Sequence, residues 1–307
     1  MNLNNLKHSL KLYSFDEKFD LMIKLYNSKK FPNSLMLSGK KGIGKFTLVK
    51  HFLNYIFDKK YNLETKEINE TSEFYRQYLN NVTPNVIYLD GFELKNAKID
   101  DIRHLKSTLL KSNISGMSRF IILDDVELFN HNSLNALLKI IEEPNLNNFF
   151  ILINNNSKPI IETIKSRCLE FKLSLKNKDR LKIIDSLIKK NNLDTCIDYK
   201  SFSITPGNFY IFNNICKNNN ININGDFLLN LEKILNLYKK EKDMNLINLL
   251  IYITEIYFYK LSIENRNNLE KNSYTMNYII DNLNKFTLLN LNPNSLKNSI
   301  TNELSNE

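Results

Sequence analysis

Residues 39–45 read G-K-K-G-I-G-K and follow a short apolar run, Leu35, Met36 and Leu37. Gly39, Gly42 and Gly44, closed by Lys45, have the types and spacing of a phosphate cradle: backbone amides free to turn inward and one ammonium to meet the negative charge. In a full phosphate loop the lysine is followed at once by Ser or Thr, whose hydroxyl ligates the magnesium that bridges β- and γ-phosphates. Phe46 stands there instead, and Thr47 comes one residue late. One residue is roughly 100° of helix rotation, so Thr47 faces a metal from the wrong side of the first turn. The loop is expected to hold ATP or ADP weakly and to be poorly equipped to hydrolyse it.

A second constellation follows at Phe120, Ile121, Ile122 and Leu123, an apolar run ending in Asp124 and Asp125. A buried strand that ends in a carboxylate sets that charge beside the metal and its water, the Walker B arrangement, with Asp124 on the metal side. The next residue in a hydrolysing enzyme of this type is Glu, which orients the attacking water. Asp125 is one methylene shorter, and roughly 1 Å of lost reach costs on the order of 100-fold. Asn154 and Asn155 end a later strand, where either amide can serve as a γ-phosphate sensor. Glu142 and Glu143 close a helix, where the macrodipole disfavours anions by a few tenths of a kcal/mol; a basic neighbour would offset this, and two solvated glutamates are the plain alternative. Ser166 and Arg167 lie in T-I-K-S-R-C at 163–168, just before another strand. An arginine exposed there can act as a finger in an adjacent subunit's nucleotide site, worth about 10³–10⁵ in rate. Pairing with a local acid is the plain alternative.

These residues need an α/β scaffold, and the first half of the chain supplies its pattern. Strands are expected at 35–38, 86–89, 120–123, 149–153 and 169–173, with helices at 46–57 and 102–110 between them. Leu134, Leu137, Leu138 and Ile141 recur at helical spacing and form one apolar face that Pro144 stops. From 179 to about 300 the pattern is helical, including 181–190 and 227–239. Residues 246–263 are apolar enough to raise a membrane question, but Asn248, Thr254 and Glu255 interrupt a run that needs roughly 20 clean residues to span a bilayer. A buried helix is expected, with no membrane partner.

The 307 residues leave room for two or three domains, and a hydrophobic share of 42% fills real cores. The net charge of +9 admits a nucleic-acid partner. Enrichment in Lys, Asn and Ile with no Trp and 7 Gly is also what an AT-rich coding sequence writes, so the basicity is weak support. Cys168, Cys196 and Cys216 form no C-x-x-C pair, which suits a reducing compartment. No apolar leader is evident, so a cytoplasmic protein is expected.

N-A-L-L-K with E-E-P at 135–144 and S-R-C at 166–168 resemble the AAA+ subunits of bacterial sliding-clamp loaders, as do I-D-D-I-R at 99–103 and T-P-G at 205–207. The likeness covers about the first two hundred residues and is strongest to the delta-prime type of subunit of DNA polymerase III. It implies an AAA+ domain over 1–172, a helical lid over 173–210, a helical collar that assembles the ring over 211–300, and a loose tail at 301–307. It also implies partners: gamma or tau motor subunits, a delta subunit, the sliding clamp indirectly, and primed DNA through the complex. Arg167 would be given in trans to a neighbour's ATP site. Residues 51–98 hold no cysteine where many members carry a zinc module, so no zinc and no other metal set is expected, and Asn208 stands where active motors carry a sensor arginine. An independent ATPase is therefore not expected. An active gamma/tau-type motor and an unrelated P-loop ATPase remain the other readings.

Overall fold

Five short runs rich in Ile, Leu, Phe and Val become strands: β1 (Ser34–Ser38), β2 (Val86–Asp90), β3 (Arg119–Asp124), β4 (Asn148–Asn154) and β5 (Leu169–Lys172). In this computed structural model, which describes residues 10–80, 82–91, 118–142, 147–289 and 291–305, they pair in parallel in the order β2-β3-β4-β1-β5. The strands expected from the sequence all appear, each within a residue or two. The expected helix at 102–110, the 99–103 motif, Glu143 and Pro144 lie outside the described residues.

Alternate residues of a strand face opposite sides, and in the central strands β1, β3 and β4 both sides are buried, which explains why these read as apolar runs, while the edge strands β2 and β5 are partly exposed. Leu35, Leu37, Phe120, Ile122, Ile151 and Ile153 pack with Phe19 and Met22 of α1 (Asp16–Asn27) and with Leu48, Val49, Phe52 and Leu53 of α2 (Lys45–Phe57). Past α2 comes α3 (Glu73–Leu79), capped by Ser72, whose hydroxyl accepts from the Tyr75 amide at 3.2 Å. Met36, Ile121, Leu123, Phe150 and Leu152 fill the other side against α4 (His131–Glu142). Within α4 the expected Leu134, Leu137 and Ile141 are buried, but Ile140 joins them while Leu138 is only partly covered. The apolar face is therefore turned slightly from the one drawn on the sequence. A short helix, α5 (Glu162–Lys165), leads into β5.

The chain divides into two compact units, Met1–Ile183 with Thr205–Gly207, and Ile184–Ile204 with Asn208–Glu307. The helix α6 (Asn177–Asn191) contributes to both. The second unit is helical: α7 (Pro206–Asn218), α8 (Phe227–Glu241), α9 (Met244–Glu264), α10 (Leu269–Leu289) and α11 (Pro293–Ser305). Asp226 caps α8 through the Leu229 amide at 2.8 Å, and Asp243 caps α9 through the Asn245 amide at 2.9 Å. By length and composition α9 is long and apolar enough to cross a membrane. Its Leu246, Ile247, Leu249, Leu250, Ile253 and Phe258 are buried in the core of this unit.

The tail corrects one expectation. Residues 301–305 are not loose but continue α11, held by Leu296 and Ile300 in the core and by Thr301 Oγ1 donating to Lys297 O at 2.9 Å. Their polarity marks the exposed side of a helix rather than disorder. The class expected from the sequence, an α/β parallel sheet followed by an all-helical region, is otherwise the one observed.

Candidate functional site

The sheet order brings three chain segments to one edge. β4 lies between β1 and β3, with Ser38 opposite Asn154 and Asp90 opposite Asp124 in register. The loop after β1, the amides after β4 and the acids after β3 therefore share the carboxyl end of a parallel sheet, the usual ligand crevice of such folds.

Gly39 opens the loop at φ 155°, its amide donating to Asn154 O at 3.1 Å. A Cβ there would lie 2.3 Å from Leu173 O, so only glycine fits. Gly42 and Gly44 adopt φ 81° and 105°, the left-handed region that glycine enters freely, and Gly44 turns the chain into α2. Lys45, the first residue of that helix, folds back so that Nζ donates to Gly39 O at 2.5 Å and Lys40 O at 2.8 Å. Burial lowers its pKa to about 8. The T-P-G motif closes on the same loop: Thr205 Oγ1 donates to Lys41 O and the Gly207 amide to Gly42 O, both at 2.8 Å.

The acid pair is fully engaged by protein. Asp124 Oδ1 accepts from the Asp125 amide and Oδ2 from the Tyr88 hydroxyl, each at 2.9 Å. Asp125 Oδ2 accepts from Lys41 Nζ at 3.0 Å and Oδ1 from Asn155 Nδ2. All four carboxylate oxygens thus have a donor. Burial, with the charge of Asp125 behind it, raises the Asp124 pKa to about 7. Burial works against the charge on Lys41, but Asp125, then Asp124 and Asp90, outweigh it and hold the ammonium above its usual range. Phe46 does not offer an oxygen here; its ring meets Tyr88 edge-on at 5.5 Å between centroids. Thr47 is partly buried on the same first turn.

Phosphate therefore fits the glycine cradle and Lys45, which would hold it together with the loop amides. Magnesium does not fit, because the hydroxyl position is aromatic and the acids are already paired. Of the two sensor candidates, Asn155 turns its side chain to Asp125, whereas Asn154 Oδ1 accepts from the Asn156 amide at 2.9 Å and shapes the turn. Sequence reasoning missed three residues here. Lys41 is only a variable position of the loop, Tyr88 is unmarked within a strand, and Glu127 stands three residues past Asp124. Glu127 is buried, and its Oε1 gathers the Asn155 amide at 3.0 Å and the Ser157 hydroxyl at 2.8 Å.

Arg167 sits at the opposite end of the sheet. It precedes β5, whose Leu169 pairs with Leu35 and whose Lys172 pairs with Ser38, so the start of β5 is three strand steps, about 10 Å, from the level where the phosphate loop begins. The guanidinium meets Glu142 at 2.7 Å and donates to Thr163 O at 2.9 Å. Glu142 is the last residue of α4, so the anticipated basic neighbour of that helix end is Arg167 itself. Both side chains are well exposed, 38% for Arg167 and 44% for Glu142. Ser166 Oγ donates to Thr163 O at 3.1 Å and supports the local turn.

Residues 16–177 match the family described as "DNA polymerase III, delta subunit". The chain belongs to this family. Among curated relatives, the DNA polymerase III subunit delta' of Buchnera aphidicola subsp. Schizaphis graminum is 29% identical over 175 residues, covering 56% of this chain and 52% of its own length. The subunit gamma of Buchnera aphidicola subsp. Acyrthosiphon pisum is 29% identical over 167 residues, 52% of this chain and 44% of that protein. The chain thus spans about half the length of the curated relatives it matches. A gamma subunit-related protein of DNA polymerase III from Thermotoga maritima, a solved structure, aligns at 15% identity with a TM-score of 0.47 over 92% of this chain and 97% of that one. The family match ends at residue 177, so it covers the phosphate loop, the acid pair and Arg167 but not the helical unit.

Proposed function

We propose that the chain is a delta-prime-type subunit of a DNA polymerase III clamp loader, which gives Arg167 in trans to the ATP site of a neighbouring gamma or tau subunit and does not hydrolyse ATP itself. The observation that carries this reading is the separation within one domain. Arg167 is exposed at the end of the sheet away from its own phosphate loop, so a nucleotide it touches belongs to another chain. The loop on this side has Phe46 where a hydroxyl is needed and acids that are already paired, which supports the loss of independent turnover.

On this reading the chain works in the cytoplasm with gamma or tau and delta subunits, and through them on a sliding clamp and primed DNA. The test is reconstitution: this chain, motor and delta subunits are combined and DNA-stimulated ATP hydrolysis is measured with intact and Arg167→Ala protein. A loss of several-fold or more is expected, and an unchanged rate would remove the trans role.

A second reading, an ATP-hydrolysing gamma- or tau-type motor, draws on the gamma relatives, which match as well as the delta' ones. It predicts ATP turnover by the purified chain alone, dependent on Lys45. The first reading predicts none.

A further inference from the structure

The carboxylates at the end of β3 are closed by Asn155 and by two side chains, Tyr88 and Lys41, that no motif predicts. Tyr88, on the neighbouring strand, gives its hydroxyl to Asp124 Oδ2, and its ring is held edge-on by Phe46. Lys41 sets an ammonium 3.0 Å from Asp125 Oδ2, and Asn155 and the Asp125 amide take the remaining two oxygens. Magnesium needs near-ideal octahedral oxygen ligands at roughly 2.0–2.1 Å and gives up its waters reluctantly. Entry here requires expelling Tyr88 from Asp124, and the hydroxyl that would complete the shell is replaced by Phe46. A cation already beside Asp125 opposes a second one. The phosphate cradle is nevertheless intact, with three glycines in the required conformations and Lys45 at its end.

We infer that this acid pair excludes divalent cations, and that the loop takes a nucleoside diphosphate or triphosphate as the metal-free anion, its phosphates met by Lys45 and the loop amides. The inference rests on the reading that the loop holds nucleotide without hydrolysing it. Lys41 and Tyr88 act here as an internal replacement for the metal, satisfying carboxylates that otherwise need one. The site becomes a holder whose occupancy follows nucleotide concentration and not free magnesium.

Calorimetric titration of the full chain with ADP, in magnesium and again in EDTA, tests this. The two dissociation constants are expected to agree within about twofold, whereas a metal-dependent site would tighten by about tenfold or more in magnesium. That tightening would overturn the inference, as would the absence of ADP binding in both buffers. Neither result touches the role of Arg167, which is read on a neighbour's ATPase and needs no nucleotide in this loop. A second arm uses Lys41→Ala/Phe46→Ser/Tyr88→Phe, with circular dichroism to confirm folding. It is expected to gain about tenfold tightening by magnesium; a folded variant indifferent to magnesium would refute the assignment of these side chains. Tyr88→Phe alone keeps the ring packing and guards against a folding failure. About two- to threefold tightening by magnesium is expected of it, and none at all would count against Tyr88 as the barrier.

Discussion

Removing the carboxylate that holds Arg167 asks how firmly the arginine is kept at home. In Glu142→Gln the 2.7 Å ion pair is lost while a neutral hydrogen bond remains possible. Both partners are more than a third exposed, 38% and 44%, and exposed pairs contribute about 0.2–1 kcal/mol. The hydrogen bond to Thr163 O at 2.9 Å is unaffected. A bias of at most about 1 kcal/mol toward the folded-back conformer lowers the outward population by no more than about fivefold. Glu142→Gln should therefore leave DNA-stimulated ATPase of the reconstituted complex unchanged or raise it by up to about fivefold, chiefly at limiting concentrations of this chain. Thermal stability should move by less than about 1 kcal/mol, since the lost pair is offset by relief of an anion at a helix C-terminus. The assay is a titration of wild-type and variant chain into fixed motor and delta subunits, beside an Arg167→Ala control. If Glu142→Gln abolished the stimulation as completely as Arg167→Ala, the pair would be part of the working geometry and the reasoning here would fail.

Three further outcomes concern the scaffold. Gly39→Ala places a methyl 2.3 Å from Leu173 O at a φ of 155° and should cost about 2 kcal/mol or more, read as a lower urea midpoint with an unchanged slope. Asp124→Asn should stabilise most above pH 7: the folded-state pKa of about 7 lies above the ordinary carboxyl value of 3.8, so the penalty of ionising this buried acid is absent at low pH, grows between those values and is complete above them. Melting curves of wild type and variant should diverge as pH rises, and parallel curves would contradict the assignment. Lys50 is buried against the Tyr75 ring at 4.9 Å, and burial lowers its pKa to about 7 from 10.5. Its charging penalty is complete below about pH 7 and fades as pH rises toward 10.5. Relative to wild type, Lys50→Met should therefore be at its most favourable on the acid side and lose that advantage as pH rises toward 10.5, as differential melts will report.

How much of this was legible in the sequence follows from the range of each signal. The strands were readable because burial on both faces leaves runs such as Phe120–Leu123 without polar interruption, and a glycine-paced loop advertises the conformations that only glycine adopts cheaply. The helical unit was readable in kind, since continuous apolar helices such as α9 must be buried somewhere, but α11 was cut short because a polar surface helix and a loose tail have the same composition. The acid pair was found, yet its occupants were not. Tyr88 reaches Asp124 across a strand pairing 36 residues apart, and nothing in either local sequence marks it. Lys41 was hidden for the opposite reason, since any residue is allowed at its place in the loop. The counterpart of Glu142 was anticipated only as some basic neighbour. That it proved to be Arg167 joins two readings, local pairing and an exposed finger, that the sequence set against each other. At the observed exposure the two are compatible, because a weak surface pair leaves the guanidinium available.

The most direct measurement isolates one catalytic centre. In an assembly where only the motor subunit adjoining this chain keeps its phosphate-loop lysine, ATP turnover is followed with intact and Arg167→Ala protein. A finger acting in trans predicts that the substitution slows that single site by about 10³-fold or more, while Lys45→Ala in this chain leaves it unaltered. A rate within about twofold of the intact assembly after Arg167→Ala would contradict the account at its centre.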